Sequence, residues 1–217
     1  INIPECALIE IDYKKHIELL KNKRGLERQF FERECFGSLF LQNAIDVNKT
    51  ILMDKDIVRR IKNKNDLLKI ALFDIWLSNE DRTTNNYNLL LQAVKGGYSI
   101  LYIIDNTEIF NSSMAYSQSM ELITQDDSIL NSKLATFIFK NNTETVTEVN
   151  ALLKEFTVFT KSCQDNLKSI LNQVPEKWHI NLQSYETKIN TIFTEDWLKI
   201  CTHTFREYIQ TSIIHKP

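Results

Sequence analysis

Glycine is scarce in this chain of 217 residues, which contains only four glycines. They form neither a G-x-G-x-x-G motif nor a G-x-x-x-x-G-K-S/T motif. These two patterns hold phosphate groups against the start of a helix in dinucleotide-binding folds and in P-loop proteins. The sequence therefore excludes both of these ways of binding a nucleotide.

Cysteine pairs and an excess of one charge are also lacking. None of the four cysteines belongs to a C-x-x-C pair, so their spacing gives no support for a zinc site. Scattered cysteines are typical of reduced, buried residues in a cytosolic protein. With 26 basic and 28 acidic residues the net charge is -2, so we expect no direct nucleic-acid partner.

Long apolar runs are absent as well. The longest one, at 67–77, is interrupted by Lys69 and Asp74, which makes it too polar for a membrane span. The sequence shows no secretory signal pattern. We therefore expect a soluble, cytoplasmic protein that does not contact a membrane.

The chain does contain enough apolar sequence for a core, since it is 43% hydrophobic and 25% charged. Its length suggests one domain, or one domain with a helical extension. Periodicity predicts a little β structure first and then mostly helices. The predicted strands lie within 1–11 and 29–41, and the predicted helices are 12–23, 54–63, 67–77, 129–140, 147–173 and 185–215.

Two of these elements are predicted most clearly. The helix at 67–77 is apolar nearly all round, which is typical of a buried helix. Further on, Lys95-Gly96-Gly97 joins the apolar runs 87–94 and 98–104. This pattern predicts a β-hairpin, because glycine tolerates the positive φ that a tight turn needs.

Polar residues of the kinds that act in catalysis and metal binding lie on both sides of this hairpin in the sequence. Asp81 and, five residues later, Asn86 lie in the polar loop after the buried helix. Asp105 directly follows four apolar residues, so its carboxylate should be held at the edge of a core. Phosphoryl transfer needs a carboxylate near the acceptor hydroxyl, together with amide and carboxylate oxygens that bind Mg²⁺. These three residues match that requirement.

A purely structural interpretation is also open. Asp81 and Asn86 fit a helix end followed by a turn rich in Asn and Asp, since both residue types favour such loops without any catalysis. Asp74 lies inside the predicted buried helix, where we expect a hydrogen-bond or ion-pair partner rather than a catalytic group.

The same residues resemble a known family. The order L-x-N-x-D-R-x-x-x-N at 77–86, followed by I-I-D-N-T-x-x-F at 103–110, is similar to that of HipA-like kinases and phosphatidylinositol-type lipid kinases. The chain is most similar to the short bacterial HipA-like domain. The flanking segments 3–8, 35–38 and 174–178 also resemble that family, so the resemblance covers most of the chain.

The resemblance implies a fold and a division of the chain. The fold would be α+β and mainly helical, as the C-terminal lobe of a protein-kinase-like domain with a small β-hairpin at the active site. Residues 1–45 would be a remnant of the N-terminal-lobe strands with the hinge, and residues 46–217 would be the helical C-lobe.

The resemblance also implies roles for individual residues. Asp81 would orient or deprotonate the acceptor hydroxyl, while Asn86 and Asp105 would hold Mg²⁺ against the phosphates of ATP. Arg82 would brace the loop. The residues bordering the adenine would be Cys35, Phe36, Gly37 and Ser38.

The sequence departs from the family pattern in two places. Thr83 stands where the family commonly has His. In addition, only about thirty-five residues precede the hinge, and their lysines fall on or beside the predicted helix 12–23 rather than on a strand. No ATP-binding lysine can therefore be named. We expect an N-lobe outside this chain, on a lost segment or another polypeptide, or a protein that no longer phosphorylates.

Two functions follow as hypotheses. One is an ATP- and Mg²⁺-dependent phosphotransferase, expected to be a protein serine/threonine kinase that an N-lobe completes. The other is a catalytically inactive pseudokinase that binds a protein partner, as in toxin–antitoxin systems. A kinase for lipids or small molecules is a third, weaker hypothesis.

Overall fold

The computed structural model describes residues 1–20, 31–112, 120–139 and 142–214. In these residues the protein is α+β and mainly helical, as the sequence predicted. The described strands are β1 (Cys6–Ile9), β2 (Cys35–Ser38), β3 (Ala44–Asp46), β4 (Leu89–Val94) and β5 (Tyr98–Ile103). The described α-helices are α1 (Tyr13–Leu20), α2 (Lys55–Arg59), α3 (Asp66–Leu77), α4 (Lys133–Ile138), α5 (Asn142–Leu171), α6 (Leu182–Ile189) and α7 (Glu195–Ile209).

The strands form two small antiparallel sheets. β1 pairs only with β2 among the described strands, and the second sheet has the order β3-β4-β5. The turn between β4 and β5 contains Gly96 and Gly97, whose φ angles are 83° and 73°. Residues with a β-carbon rarely adopt such angles, so the glycines allow this tight connection. The predicted hairpin is confirmed.

Helix α3 is the centre of the core. Its apolar residues are buried on almost every side, and Leu67 and Ile75 have no exposed surface. Trp76 donates a hydrogen bond from Nε1 to the carbonyl oxygen of Ile192 at 2.9 Å, which joins α3 to the segment before α7. Complete burial of such side chains stabilises the fold by about 1.5–3 kcal/mol each. The predicted buried helix is confirmed.

Several predicted boundaries differ from the structure. Helix α2 is shorter than predicted because the chain after it pairs with β5, where Ser99 N donates to the Arg60 oxygen at 3.0 Å. The predicted helix 185–215 is interrupted, because Thr194 is extended and starts α7 as its N-cap. The predicted positions that lie outside the described residues are 21–23, 29–30, 140 and 215.

Several hydrogen bonds connect the first forty-five residues to the rest of the protein. Ile103 N donates to the Asn2 oxygen at 3.0 Å, beside the end of β5. Trp178 Nε1 donates to the Glu34 oxygen at 2.8 Å, and Lys177 Nζ lies 2.9 Å from Glu34 Oε1. The predicted division between residues 45 and 46 falls within β3 and stays a prediction.

None of the described helices combines the length and the apolar character that a membrane-crossing helix needs.

Candidate active site

The loop after α3 begins with a reversal of the chain. Ser78, directly after Leu77, adopts a left-handed conformation with φ of 48° and ends the helix. Asn79 then folds back on the helix, since its backbone N donates to the Asp74 oxygen at 2.9 Å. Its side chain donates to Asp74 Oδ1 at 2.8 Å. The start of the loop is therefore attached to a buried turn of α3.

A buried ion pair holds the next part of the loop. Arg82 has no exposed surface and Asp74 is 1% exposed. Arg82 Nη1 donates to Asp74 Oδ1 at 2.5 Å, and Nη2 donates to the Ile104 oxygen at 3.0 Å and to Asn106 Oδ1 at 2.6 Å. Arg82 thus connects α3 with the segment after β5, as a bracing residue would.

Burial also changes the acidity of Asp74. It raises the pKa of Asp74 from 3.8 to about 6, although Arg82 and Asn79 favour the charged form. Asp74 Oδ2 accepts no hydrogen bond from the described residues, which leaves part of the carboxylate charge uncompensated. Asp74 is therefore a structural partner of Arg82, as its position in the sequence predicted.

Two amide side chains position Asp81. The carboxylate is half-buried, and it accepts a hydrogen bond from Asn86 Nδ2 at 2.8 Å and another from Asn88 Nδ2 at 2.7 Å. Thr83 N donates to the Asn86 oxygen at 2.8 Å, which closes the turn that brings Asn86 back to Asp81. These contacts orient the carboxylate of Asp81 and disperse its charge.

Asp105 lies beside this arrangement in a constrained backbone. Its φ is 49°, its side chain is exposed, and its Oδ1 accepts a hydrogen bond from Thr107 Oγ1 at 2.8 Å. Asn88 Nδ2 is 3.4 Å from the Asp105 oxygen, and Ile104 N donates to the Asn88 oxygen at 3.0 Å. Asn88 therefore connects the segment of Asp105 with the carboxylate of Asp81.

Asn88 was missed by the sequence analysis. It lies two residues after Asn86 and directly before β4. Its φ is 45°, a left-handed conformation that asparagine adopts more readily than most residues, so an asparagine directly before a strand was the available signal. Asn79 and Asn106 were also not assigned; the partner of Asn106 is Arg82, which is distant along the chain, while Asn79 binds Asp74 one turn back in α3.

The donor set fits an open Mg²⁺ site. Asn86 uses its Nδ2 for Asp81, which leaves Oδ1 as the amide atom available to a metal. Asp105 adds exposed carboxylate oxygens. Mg²⁺ prefers oxygen ligands and usually completes its shell with water and substrate phosphates. The described residues include no cluster of three His, Cys, Asp or Glu side chains that would hold a metal alone. The assignment of Asn86 and Asp105 as ligands stays a prediction.

The four residues predicted to border the adenine lie in β2. This strand pairs with β1, and Phe36 is 68% exposed. The four residues are paired with the antiparallel partner strand Cys6–Ile9. The structure brings Asp81 and Asn86 together, with the backbone of Asp105 close by. The role of β2 stays a prediction.

An open groove of about 570 Å³ adjoins the amide side chains of the site. It lies between the end of β3 and the start of β4, and its lining residues are 46–50, 85–89 and Ile104. Asn86 and Asn88, which bind Asp81, form part of its wall. The groove therefore provides a space for a ligand next to the candidate catalytic carboxylate.

Comparison with known sequences identifies the group to which the protein belongs. A sequence model of HipA-like kinases matches residues 1–208. The chain belongs to the HipA-like kinase family. Comparison with curated proteins and with solved structures finds no match. The resemblance drawn from Asp81, Asn86 and Asp105 is thus confirmed at the level of the family, and kinase-like phosphotransfer is the class of chemistry that it indicates for this HipA-like kinase.

Proposed function

We propose that this HipA-like kinase is an ATP- and Mg²⁺-dependent phosphotransferase that acts on serine or threonine hydroxyls of a protein. The proposal rests on one observation, namely that Asp81 is held between Asn86 and Asn88 next to the segment of Asp105. In this proposal residues 46–217 are the C-lobe of a kinase-like fold.

Each residue of the site has a defined task in this function. Asp81 orients the acceptor hydroxyl and accepts its proton, and the two amides keep the carboxylate pointing in one direction. Asn86 Oδ1 and the carboxylate of Asp105 hold the metal. Bound MgATP supplies the γ-phosphoryl group and the charge neutralisation that its transfer needs. Arg82 binds both α3 and the segment after β5, and these buried contacts hold the loop of Asp81 next to the segment of Asp105.

A second function is supported by the N-terminal sheet. Its described strands, β1 and β2, contain no lysine that could bind phosphates. The same region exposes large apolar side chains, such as Phe36 at 68% and Phe40 at 85%. Exposed apolar surface is typical of protein-binding sites. A catalytically inactive protein-binding module, as in a toxin–antitoxin pair, is therefore the alternative.

Nucleotide binding separates these functions. We expect the parent chain to bind ATP in calorimetry more tightly with Mg²⁺ than with a chelator. The Asp105→Asn variant should lose this Mg²⁺ dependence, because it removes a charged metal ligand. Asp165→Asn is the matched control, since it removes an exposed carboxylate whose surface ion pair contributes little. A parent chain that does not bind ATP would favour the protein-binding module.

Catalysis is tested by the Asp81→Asn variant. It keeps the size of the side chain but cannot accept the proton of the acceptor hydroxyl. We expect MgATP affinity close to that of the parent and phosphate transfer to a protein acceptor slowed about 10²–10⁴-fold. Transfer at the parent rate would exclude Asp81 as the catalytic base.

A further inference from the structure

Positive charge is concentrated in two segments that lie next to each other in the fold. Segment 57–65 and the hairpin 87–104 together contain five basic residues and no Asp or Glu, although the whole chain has a net charge of -2. The five are Arg59, Arg60, Lys62, Lys64 and Lys95. A chain that is slightly acidic as a whole thus carries a local excess of positive charge.

The first of these segments lies along the edge of β5. Lys62 N donates to the Ser99 oxygen at 2.9 Å, and Ser99 N donates to the Arg60 oxygen at 3.0 Å. The side chain of Asn63 continues this pairing, because its Oδ1 accepts from Leu101 N at 2.8 Å and its Nδ2 donates to the Leu101 oxygen at 2.9 Å. The backbone that carries Arg60 and Lys62 is therefore fixed against the hairpin.

The side chains of this segment reach the turn between β4 and β5. Lys62 Nζ lies 5.0 Å from the centroid of the Tyr98 ring, which is a cation–π contact. Arg60 Nη1 lies beside Gly97, 3.4 Å from the position that a β-carbon would take there. Lys95 is exposed in the same turn, and Tyr98 is 47% exposed. Arg60, Lys62, Lys95 and Tyr98 thus form one surface, which we call the basic surface.

The cations of the basic surface are not paired with carboxylates. In the part of the chain that the structure describes, none of the three takes part in an ion pair. The acidic residues on either side of segment 57–65 pair elsewhere, since Asp56 lies 3.2 Å from Arg59 and Asp66 lies 3.2 Å from Lys69. The basic surface therefore presents its positive charge to the outside of the protein.

The basic surface is separate from the candidate active site. β5 has six residues and runs from Tyr98 to Ile103, so it spans about 20 Å. Asp105 follows the far end of this strand, whereas the turn with Lys95 precedes its start. A ligand on the basic surface therefore leaves the surroundings of Asp81 free.

We propose that the basic surface binds an acidic segment of a partner protein, whose Asp or Glu side chains pair with Arg60, Lys62 and Lys95. Opposite charges on the two sides of an interface favour association and orient the partners. Arginine and tyrosine, as in Arg60 and Tyr98, are also enriched at protein interfaces. This inference goes beyond the proposed function, since it holds for a phosphotransferase and for a protein-binding module alike.

Nucleic acid is the other polyanion that a basic surface can bind. Proteins that bind nucleic acid usually contact many phosphates and carry a large basic excess. This chain has a sequence pI of about 6.1, and its basic surface offers only the cations of Arg60, Lys62 and Lys95. The small size of the surface favours a short acidic segment of a protein.

The experiment measures binding of a decaglutamate peptide to the intact chain by calorimetry, at about 50 mM and about 300 mM salt. We expect weaker binding at the higher salt, because exposed charges are screened. The surface variant, in which Arg60, Lys62 and Lys95 are each replaced by Gln, should bind the peptide about tenfold more weakly at low salt.

The control variant carries the same change of net charge at a different place. It replaces Lys154, Lys161 and Lys168, three exposed lysines of α5, by Gln and should bind the peptide like the parent. Saturating ATP should also leave the peptide affinity of the parent unchanged, because the basic surface is distant from Asp81.

Hydrogen exchange of the parent gives a readout that needs no variant. The peptide should slow amide exchange in the turn 95–97 and in segment 60–62, while protection elsewhere stays the same. This footprint decides the question if thermal melting shows that the surface variant is unfolded. Protection only at other positions would exclude the basic surface as the binding site.

Four further results would overturn the inference. They are a parent chain that does not bind the peptide, equal losses in the surface and control variants, displacement of the peptide by ATP, and tighter binding of a single-stranded DNA decamer than of the peptide. The proposed phosphotransferase function is tested separately by ATP binding. A parent chain that binds the peptide but no ATP would keep this inference and exclude that function.

Discussion

Asp74 and Arg82 place two opposite charges in the interior, directly below the loop that carries Asp81. Burial of charges is costly, and the pair offsets this cost only because several hydrogen bonds accompany it. Arg82 gains contacts to Ile104 and Asn106. The pair therefore specifies how the loop and the end of β5 meet, rather than adding much net stability.

The raised pKa of Asp74 predicts a dependence of stability on pH. Between its unfolded value near 4 and its folded value of about 6, the native state binds the proton more strongly. Stability from this group therefore falls as pH rises through that range. Relative to Asp74→Asn, the parent should lose about 2 kcal/mol of unfolding free energy from pH 4 to pH 7.

Urea denaturation at several pH values measures this difference. Asp74→Asn is the suitable reference, because its amide oxygen still accepts a hydrogen bond from Arg82 but does not titrate. If the two proteins change in parallel across this range, Asp74 does not have a raised pKa in the folded state.

At the scale of elements, the break between α6 and α7 decides how the C-terminal part packs. Thr194 is extended, and its Oγ1 accepts a hydrogen bond from Trp197 N at 3.4 Å. Trp197 Nε1 then donates to the Trp76 oxygen at 3.0 Å, which joins α7 to α3. The cap therefore sets the start of the helix that packs on the central helix of the core.

Removal of this cap should destabilise the protein. Thr194→Ala loses the side-chain acceptor at the start of α7, and we expect the unfolding free energy to fall by about 1 kcal/mol. Thr194→Asp should retain most of the stability, because aspartate is also a good N-cap. The measurement is chemical denaturation of the purified variants.

Thr187→Ala is the matched control for the cap. Thr187 is an exposed threonine inside α6, where alanine is the better helix former. Its replacement should change stability by less than about 0.5 kcal/mol. Equal losses in both variants would mean that the hydroxyl of Thr194 does not act as a cap.

At the scale of the whole molecule, the β1–β2 sheet depends on its attachment to the helical part. A two-stranded sheet alone is marginally stable in water. Within the described residues, Trp178 and Lys177 bind Glu34 next to β2, and Asn2 binds the end of β5. The N-terminal sheet is thus held against the other elements from two sides.

Loss of one attachment should loosen this sheet without affecting the core. In Trp178→Phe the hydrogen bond to Glu34 is absent, and such a bond contributes about 1 kcal/mol. We expect amide hydrogen exchange in Cys6–Ile9 and Cys35–Ser38 to become about fivefold faster, while α3 keeps its protection. Mass spectrometry of peptides from each region measures this change.

Trp197→Phe provides the comparison for this test. It removes a similar indole hydrogen bond, but the bond joins α7 to α3 within the helical part. In Trp197→Phe, amide hydrogen exchange in β1 and β2 should match that of the parent. Faster exchange of these strands in both variants would show that the sheet responds to general loss of stability rather than to its own attachment.

The amino-acid sequence by itself determined the elements whose signals are local. The nearly continuous apolar run of α3 predicted a buried helix, and the two glycines after Lys95 predicted the β4–β5 turn. The resemblance of the motif that contains Asp81, Asn86 and Asp105 indicated the family. These features are readable from sequence because periodicity and turn chemistry act within a few residues.

The tertiary structure decided the features that depend on distant partners. The bridge formed by Asn88, the contact between Lys49 and Asn85, and the attachment of Trp178 to Glu34 each join separate segments. The interruption at Thr194 had a local signal that was missed, since a threonine followed by Glu195 and Asp196 is typical of the start of a helix. Local propensity cannot specify contacts between separate segments, since it does not determine which segments meet in the folded chain.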